Sequence, residues 1–120
     1  EFEDVMVTAE KAIREFISGE PSSYKIYEME DPDVLLWAVW ALQQYAKETS
    51  REQCRQKYGR LLEDIMDYIR SRKHDNLFLH ENGLLYANGT EKAITWMNST
   101  VNGRPVTPRT GYIVEVNSLW

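Results

Sequence analysis

The stretch from Ser50-Arg51-Glu52-Gln53-Cys54 through Tyr58, Leu61-Leu62, Ile65-Met66 and Ile69 to Arg70-Ser71-Arg72-Lys73 decides the fold class. Its apolar residues recur at intervals of three and four, the spacing that gathers them on one side of an α-helix. Ser50 and Gln53 have the spacing of a capping box, in which hydroxyl and amide each satisfy a backbone donor of the first turn. Arg70, Arg72 and Lys73 stand at the other end, where the helix dipole favours cations. Gly59 is a small flaw, costing about 1 kcal/mol relative to Ala. The spacing predicts a helix over 51–73.

On the N-terminal side, Asp31-Pro32 predicts a second helix over 32–48, with Asp31 capping free amides and Pro32 losing no hydrogen bond. Leu35, Leu36, Val39 and Leu42 form its inner stripe. Trp37, Trp40 and Tyr45 widen the apolar arc, as expected of a helix packed on two sides. Val5, Met6, Ala9, Ile13, Phe16 and Ile17 predict a first helix over 5–18, stopped by Gly19-Glu20-Pro21, and a polar connection follows over 20–31. On the C-terminal side the helical period ends after Asp75. Leu77-Phe78-Leu79-His80, Glu81-Asn82-Gly83 and Leu84-Leu85-Tyr86 predict a hairpin over 77–86 with Asn-Gly at its turn. Residues 87–112 read as an irregular loop of about 25 residues, longer than ordinary connections and more often functional than idle. An amphipathic helix starts over 113–120. The expected fold is all-α: three to four helices, one short β-hairpin and a long loop.

Composition narrows the function classes. The 120 residues suffice for one core. A net charge of −5 offers no electrostatic footprint for nucleic acid or an anionic membrane. No window approaches transmembrane length, and no signal-like apolar run opens the chain. The single cysteine, Cys54, falls on the apolar stripe and reads as a buried thiol, which fits a reducing compartment. His74 and His80 lack metal-ligand spacing, so no metal site is expected. Asn88-Gly89-Thr90 and Asn98-Ser99-Thr100 match the glycosylation pattern without a secretory context to use it. Glu63, Asp64 and Asp67 read as a solvated helix face.

The chemistry is concentrated in the long loop and at two helix starts. Trp96, Asn98 and Arg109 lie in sequence punctuated by Gly and Pro, where a solvated loop needs no aromatic mass, so this loop is expected to fold inward around a pocket. Arg109, between Pro108 and Gly111, requires several acceptors for its fork: a carboxylate or a polar ligand. Asp33 reads either as a first-turn acid facing the helix dipole or as a carboxylate reaching into a pocket beside Trp37. Glu115 has the same two readings.

Gly83-Leu84-Leu85-Tyr86-Ala87, Ile94-Thr95-Trp96-Met97-Asn98, Thr107-Pro108-Arg109-Thr110-Gly111 and Val114-Glu115-Val116-Asn117-Ser118-Leu119-Trp120 together resemble the C-terminal domain of glycogen debranching enzymes, the amylo-α-1,6-glucosidases. Asp33-Val34-Leu35-Leu36-Trp37 is similar to that family's Asp-Ala-Ser-Leu-Trp segment. The resemblance implies an (α/α)6 toroid of which residues 1–120 are a single fragment. It implies a cytoplasmic glycoside hydrolase that removes α-1,6-linked glucose from glycogen-like α-glucan with inversion, using neither metal nor cofactor.

The family follows Thr-Trp-Met with an Asp, the general acid, where this chain carries Asn98. An amide has no titratable proton, and loss of general-acid assistance typically costs about 10²–10⁴-fold. The acid is then another carboxylate, with Glu115, Glu91 and Glu81 as local candidates in that order, or it comes from beyond this chain, as the base does in the family. Otherwise the protein is a non-catalytic carbohydrate-binding or structural helical toroid. The resemblance makes Trp96 a stacking platform and gives Asp33, Arg109 and Trp37 contacts with the sugar. Trp40 stands where the family often has an acid. As a fragment, the chain is expected to be inactive alone and to self-associate through faces left uncovered.

Overall fold

The computed structural model describes residues 2–18 and 31–120. Four helices carry the mass: α1 (Phe2–Ser18), α2 (Asp33–Glu48), α3 (Arg51–Arg70) and the short α4 (Val114–Leu119). Two small antiparallel ribbons, β1 (Leu77–Leu79) with β2 (Leu85–Ala87) and β3 (Thr100–Val101) with β4 (Arg104–Pro105), lie between α3 and α4. The fold is mostly helical. The stop expected at Gly19-Glu20-Pro21 and nearly all of the 20–31 connection fall outside the described residues.

Only Thr49 and Ser50 separate α2 from α3, so α3 turns back and packs against α2. The Ser50 hydroxyl accepts from the Gln53 amide at 3.1 Å, which is the serine half of the capping box. Leu35, Leu36, Leu42 and Tyr45 meet Cys54, Tyr58, Leu61 and Ile65 in one buried cluster, joined by Ile13 of α1. Burial pushes the Cys54 thiol up, and the thiol lies 3.5 Å from the Leu42 carbonyl oxygen. On the outer side, Arg14 pairs with Asp64 at 3.0 Å and thereby ties α1 to α3. Asp64 is thus a cross-helix partner and not merely a solvated acid.

Two helix ends and one helix face differ from expectation for local reasons. Helix α2 begins one residue late: Pro32 is the cap residue, and it makes no side-chain cap hydrogen bond. Instead the Asp31 backbone carbonyl accepts from Val34 at 3.1 Å, which leaves its carboxylate for another partner. Helix α3 ends at Arg70 and not at 73, because Arg72 takes a left-handed φ of 53° that a helix cannot continue. The wide apolar arc expected of α2 is only partly covered. Trp37 and Trp40 remain 46% and 49% exposed, edge-on to each other at 5.9 Å, while Tyr45 is buried.

The first ribbon pairs Leu77 with Ala87, Phe78 with Tyr86 and Leu79 with Leu85. Its Asn-Gly belongs to a three-residue loop, Glu81-Asn82-Gly83, closed by the Gly83 amide on the His80 carbonyl at 3.0 Å with Gly83 at φ 83°. His80 stacks on Tyr86, Tyr112 meets both rings edge-on, and a 2.8 Å hydrogen bond joins His80 Nδ1 to Tyr112 Oη. The expected irregular loop over 87–112 is in fact partly ordered by the second ribbon. Asn102 and Gly103, at φ 52° and 77°, form its two-residue turn, the geometry in which both central residues have positive φ.

Candidate active site

The site is built on a strap, Thr95-Trp96-Met97-Asn98, held between the start of α2 and the loop that carries Arg109. Ile94 and Thr95 are fully buried and anchor it, and the Thr95 hydroxyl accepts from the Met97 amide at 3.3 Å. Anchored this way, the next side chain points outward: Trp96 is 66% exposed, a large cost for an indole with no partner to cover it. The Trp96 backbone N–H favours the charged form of the Asp33 carboxyl. Two residues further, the Asn98 side-chain amide donates to Asp31 Oδ2 at 3.4 Å. The strap is therefore stitched to the start of α2 through the Asp31 carboxylate.

The opposite wall comes from residues 107–111. Ala87 and Gly111 exchange backbone hydrogen bonds at 2.9 and 2.8 Å, extending β2 by one bridge. The Gly89 amide donates to Thr110 Oγ1 at 3.1 Å, and Thr90 and Thr110 hydroxyls bond at 3.2 Å. Gly89 sits so close that a Cβ there would lie 2.4 Å from the Arg109 carbonyl oxygen. Only glycine fits this approach, and it fixes where the Arg109 side chain starts. From that root, Arg109 Nη2 donates to Glu115 Oε1, Nη1 lies 3.4 Å from Met97 Sδ, and Nε is buried without a hydrogen-bond partner among the described residues.

Helix α4 is tied to the same wall through Asn117. Its amide accepts from the Leu85 N–H at 2.8 Å and donates to the Leu85 and Ile113 carbonyls, each at 3.0 Å. That side chain imitates a backbone pairing on β2 and sets the position of Glu115 one half-turn earlier. The Trp120 indole N–H adds a bond to the Gly83 carbonyl at 3.0 Å.

Electrostatically the carboxyl groups differ. Asp33 is half-buried and pushed up to about 6, first by burial and then by the charge of Asp31, with Glu115 adding to the same direction. The amides of Trp96 and Val34 oppose the shift without cancelling it. Glu115 already accepts a charge-assisted hydrogen bond from Arg109, an arrangement that commits one oxygen and fixes the carboxylate. That contact, more than the helix dipole, accounts for its place in the first turn of a six-residue helix.

Of the residues singled out from sequence, Asp33, Trp96, Asn98, Arg109 and Glu115 are brought to this one strap. Trp37 is not joined to it by these bonds; it lines a cavity of about 230 Å³ between α1, α2 and α3, with Met6, Ile13, Val34 and Tyr58. Glu81 and Glu91 are exposed, in the first hairpin turn and on the rim of the loop. Sequence reasoning missed Asp31 as the partner of Asn98, because a pre-proline aspartate is read first as a cap. It also missed Asn117 and Gly89, whose roles depend on partners 32 and 20 residues away. Among the described residues no three His, Cys, Asp or Glu side chains are grouped to hold a metal ion, and no helix is long and apolar enough to cross a membrane.

Neither a curated protein nor a solved structure matches the chain. The sequence model of the amylo-α-1,6-glucosidase family does match, over residues 19–120. That span contains α2, the strap, the Arg109 loop and the α4 anchor, so the match covers every element that builds the site. The chain belongs to the amylo-α-1,6-glucosidase family.

Proposed function

We propose that this chain is part of a cytoplasmic α-glucan debranching glucosidase that hydrolyses α-1,6-linked glucose of glycogen-like polysaccharide with inversion, and that residues 1–120 are a fragment of its (α/α)6 toroid. The observation that carries the reading is the exposed Trp96, flanked by Asp33, Asn98 and the Arg109–Glu115 pair on a strap fixed at both ends. A pyranose presents an apolar C–H face and a rim of hydroxyls. An indole beside amide, guanidinium and carboxylate groups offers the matching surface. Inversion requires two carboxyl groups about 6.5–9.5 Å apart, one to protonate the leaving oxygen and one to activate water. In this reading the base belongs to the remainder of the toroid. The exposed pair Trp37 and Trp40 belongs to a face that other helices, or a second copy of the isolated chain, would cover.

A second reading has specific support. Asn98 stands at the family's acid position and bonds Asp31, as expected of a residue kept to hold sugar or strap without supplying a proton. In that case the protein binds α-glucan and does not cleave it.

One experiment separates the two. The complete protein is given an oligosaccharide with a single α-1,6-linked glucose branch, and the first glucose released is followed by ¹H NMR. Early β-glucose supports the inverting glucosidase. Binding without release supports the second reading, and the absence of both removes α-glucan from the account. Trp96→Ala is expected to weaken glucan binding by roughly tenfold, the size of one lost stacking contact. Unchanged binding takes Trp96 out of the site.

A further inference from the structure

We infer that a cleft at the end of α3 is a binding site for a phosphate-type oxyanion, either inorganic phosphate or the phosphate group of a phosphomonoester. The inference stands apart from the glucosidase reading and goes beyond it. The cleft, of about 160 Å³, is lined by Tyr68, Lys73, His74, Asp75, Asn76 and Lys92. A water in the liquid occupies about 30 Å³, so there is room for a tetrahedral oxyanion.

Three observations point to an anion. Tyr68 lines the cleft although only 8% of it is exposed, and its hydroxyl has no hydrogen-bond partner among the described residues. That hydroxyl is free to donate to a ligand. His74 is half-buried, with Phe16 of α1 stacked on its ring at 5.8 Å, and burial pushes the imidazole down, so the ring is neutral at pH 7. Its Nδ1 accepts from the Asn76 N–H at 3.1 Å, which puts the ring proton on Nε2 as a second donor. Lys73 and Lys92 bring two ammonium groups, one from the turn after α3 and one from the loop before the strap. Neither makes an ion pair among the described residues.

The cleft therefore gathers four donors, two of them charged, against one carboxylate, Asp75. Both signs of charge are felt at the His74 ring, which Asp75 raises and Lys92 lowers. Four donors exceed what the two oxygens of a carboxylate ligand can use and suit the oxygens of a phosphate. A metal ion is a poor occupant, since two ammonium groups repel it. The negative end of the α3 dipole is blunted here: the Ser71, Lys73 and Arg72 amides bond the carbonyls of Asp67, Tyr68 and Ile69 at 2.8, 3.5 and 3.2 Å.

Isothermal titration of the complete protein with inorganic phosphate, and separately with methyl phosphate as the simplest phosphomonoester, tests the site. Saturable binding of at least one is expected at millimolar concentrations, and the tighter of the two tells whether the site takes the free ion or an ester. Lys92→Ala and Tyr68→Phe should each weaken binding about tenfold, the size of one charge-assisted hydrogen bond. Asp75→Asn removes the opposing charge and should tighten binding a few-fold. Lys57→Ala, whose ammonium pairs with Glu3 at 3.2 Å outside the cleft, should change nothing. Lys92 and Asp75 are exposed, so their variants decide the matter even if Tyr68→Phe does not fold. Binding of neither probe would overturn the inference. So would unchanged affinity in Lys92→Ala, weaker binding in Asp75→Asn, or an equal loss in Lys57→Ala, which would reduce the effect to general surface charge.

Discussion

Residues 33–70 and residues 77–120 are held together by different physics. In the first region α2 and α3 bury an apolar stripe between them, and polar contacts such as the Ser50 cap and the surface pair Arg60–Asp64 add direction. In the second, the regular elements are three residues or fewer apart from the six-residue α4, too short to be stable by themselves. Side chains substitute for the missing backbone ladders: Asn117 on Leu85, Thr110 on Gly89, Arg109 on Glu115. Burial is tolerant of small errors, whereas a polar anchor is all or nothing. The site lies where the two regions meet, at the bond from the strap to Asp31.

The largest effect should come from the first region. Leu35 of α2 is wholly buried in the shared core, so Leu35→Ala should destabilise the protein by about 2–5 kcal/mol in denaturant titration. Hydrogen exchange should quicken throughout, because the cavity weakens a shared core. A loss confined to α2 would mean the core is not cooperative.

Asn117→Ala should cost less and act locally. It leaves the buried Leu85 N–H and C=O without their partner, a penalty of about 1–3 kcal/mol. The Leu85 amide should exchange faster and α4 should loosen, while the amides of α3 keep their protection. Equal loss of protection across α2 and α3 would erase the distinction between the regions.

How much was legible in the sequence follows the same division. The stripes Leu35-Leu36-Leu42 and Cys54-Tyr58-Leu61-Ile65 encode their partners by period, so α2 and α3 could be read with errors of one to three residues at their ends. Those errors have local causes: a proline cap and a left-handed arginine. The first hairpin was readable from Asn82-Gly83 between apolar runs. The second was not, although Asn102-Gly103 carries the same signal, because Thr100 and Val101 are both exposed and no apolar alternation flanks the turn. Arg109 could be read as needing a carboxylate, and Glu115 supplies it only six residues away. Asp31 with Asn98 could not, since 67 residues separate them and nothing in either neighbourhood names the other. The strap motif and the loss of its acid were visible; the environment of Asp33, made by burial and by Asp31, required the fold.

The claim that the two regions together set the charge of Asp33 has a direct test. Selective ¹³C labelling of aspartate allows its side-chain carboxyl carbon to be followed against pH. The account predicts a midpoint near 6, with the proton retained at pH 5 and lost by pH 7, and a lower midpoint in Asp31→Asn. A midpoint close to the ordinary value of 3.8, unaltered by that substitution, would contradict it.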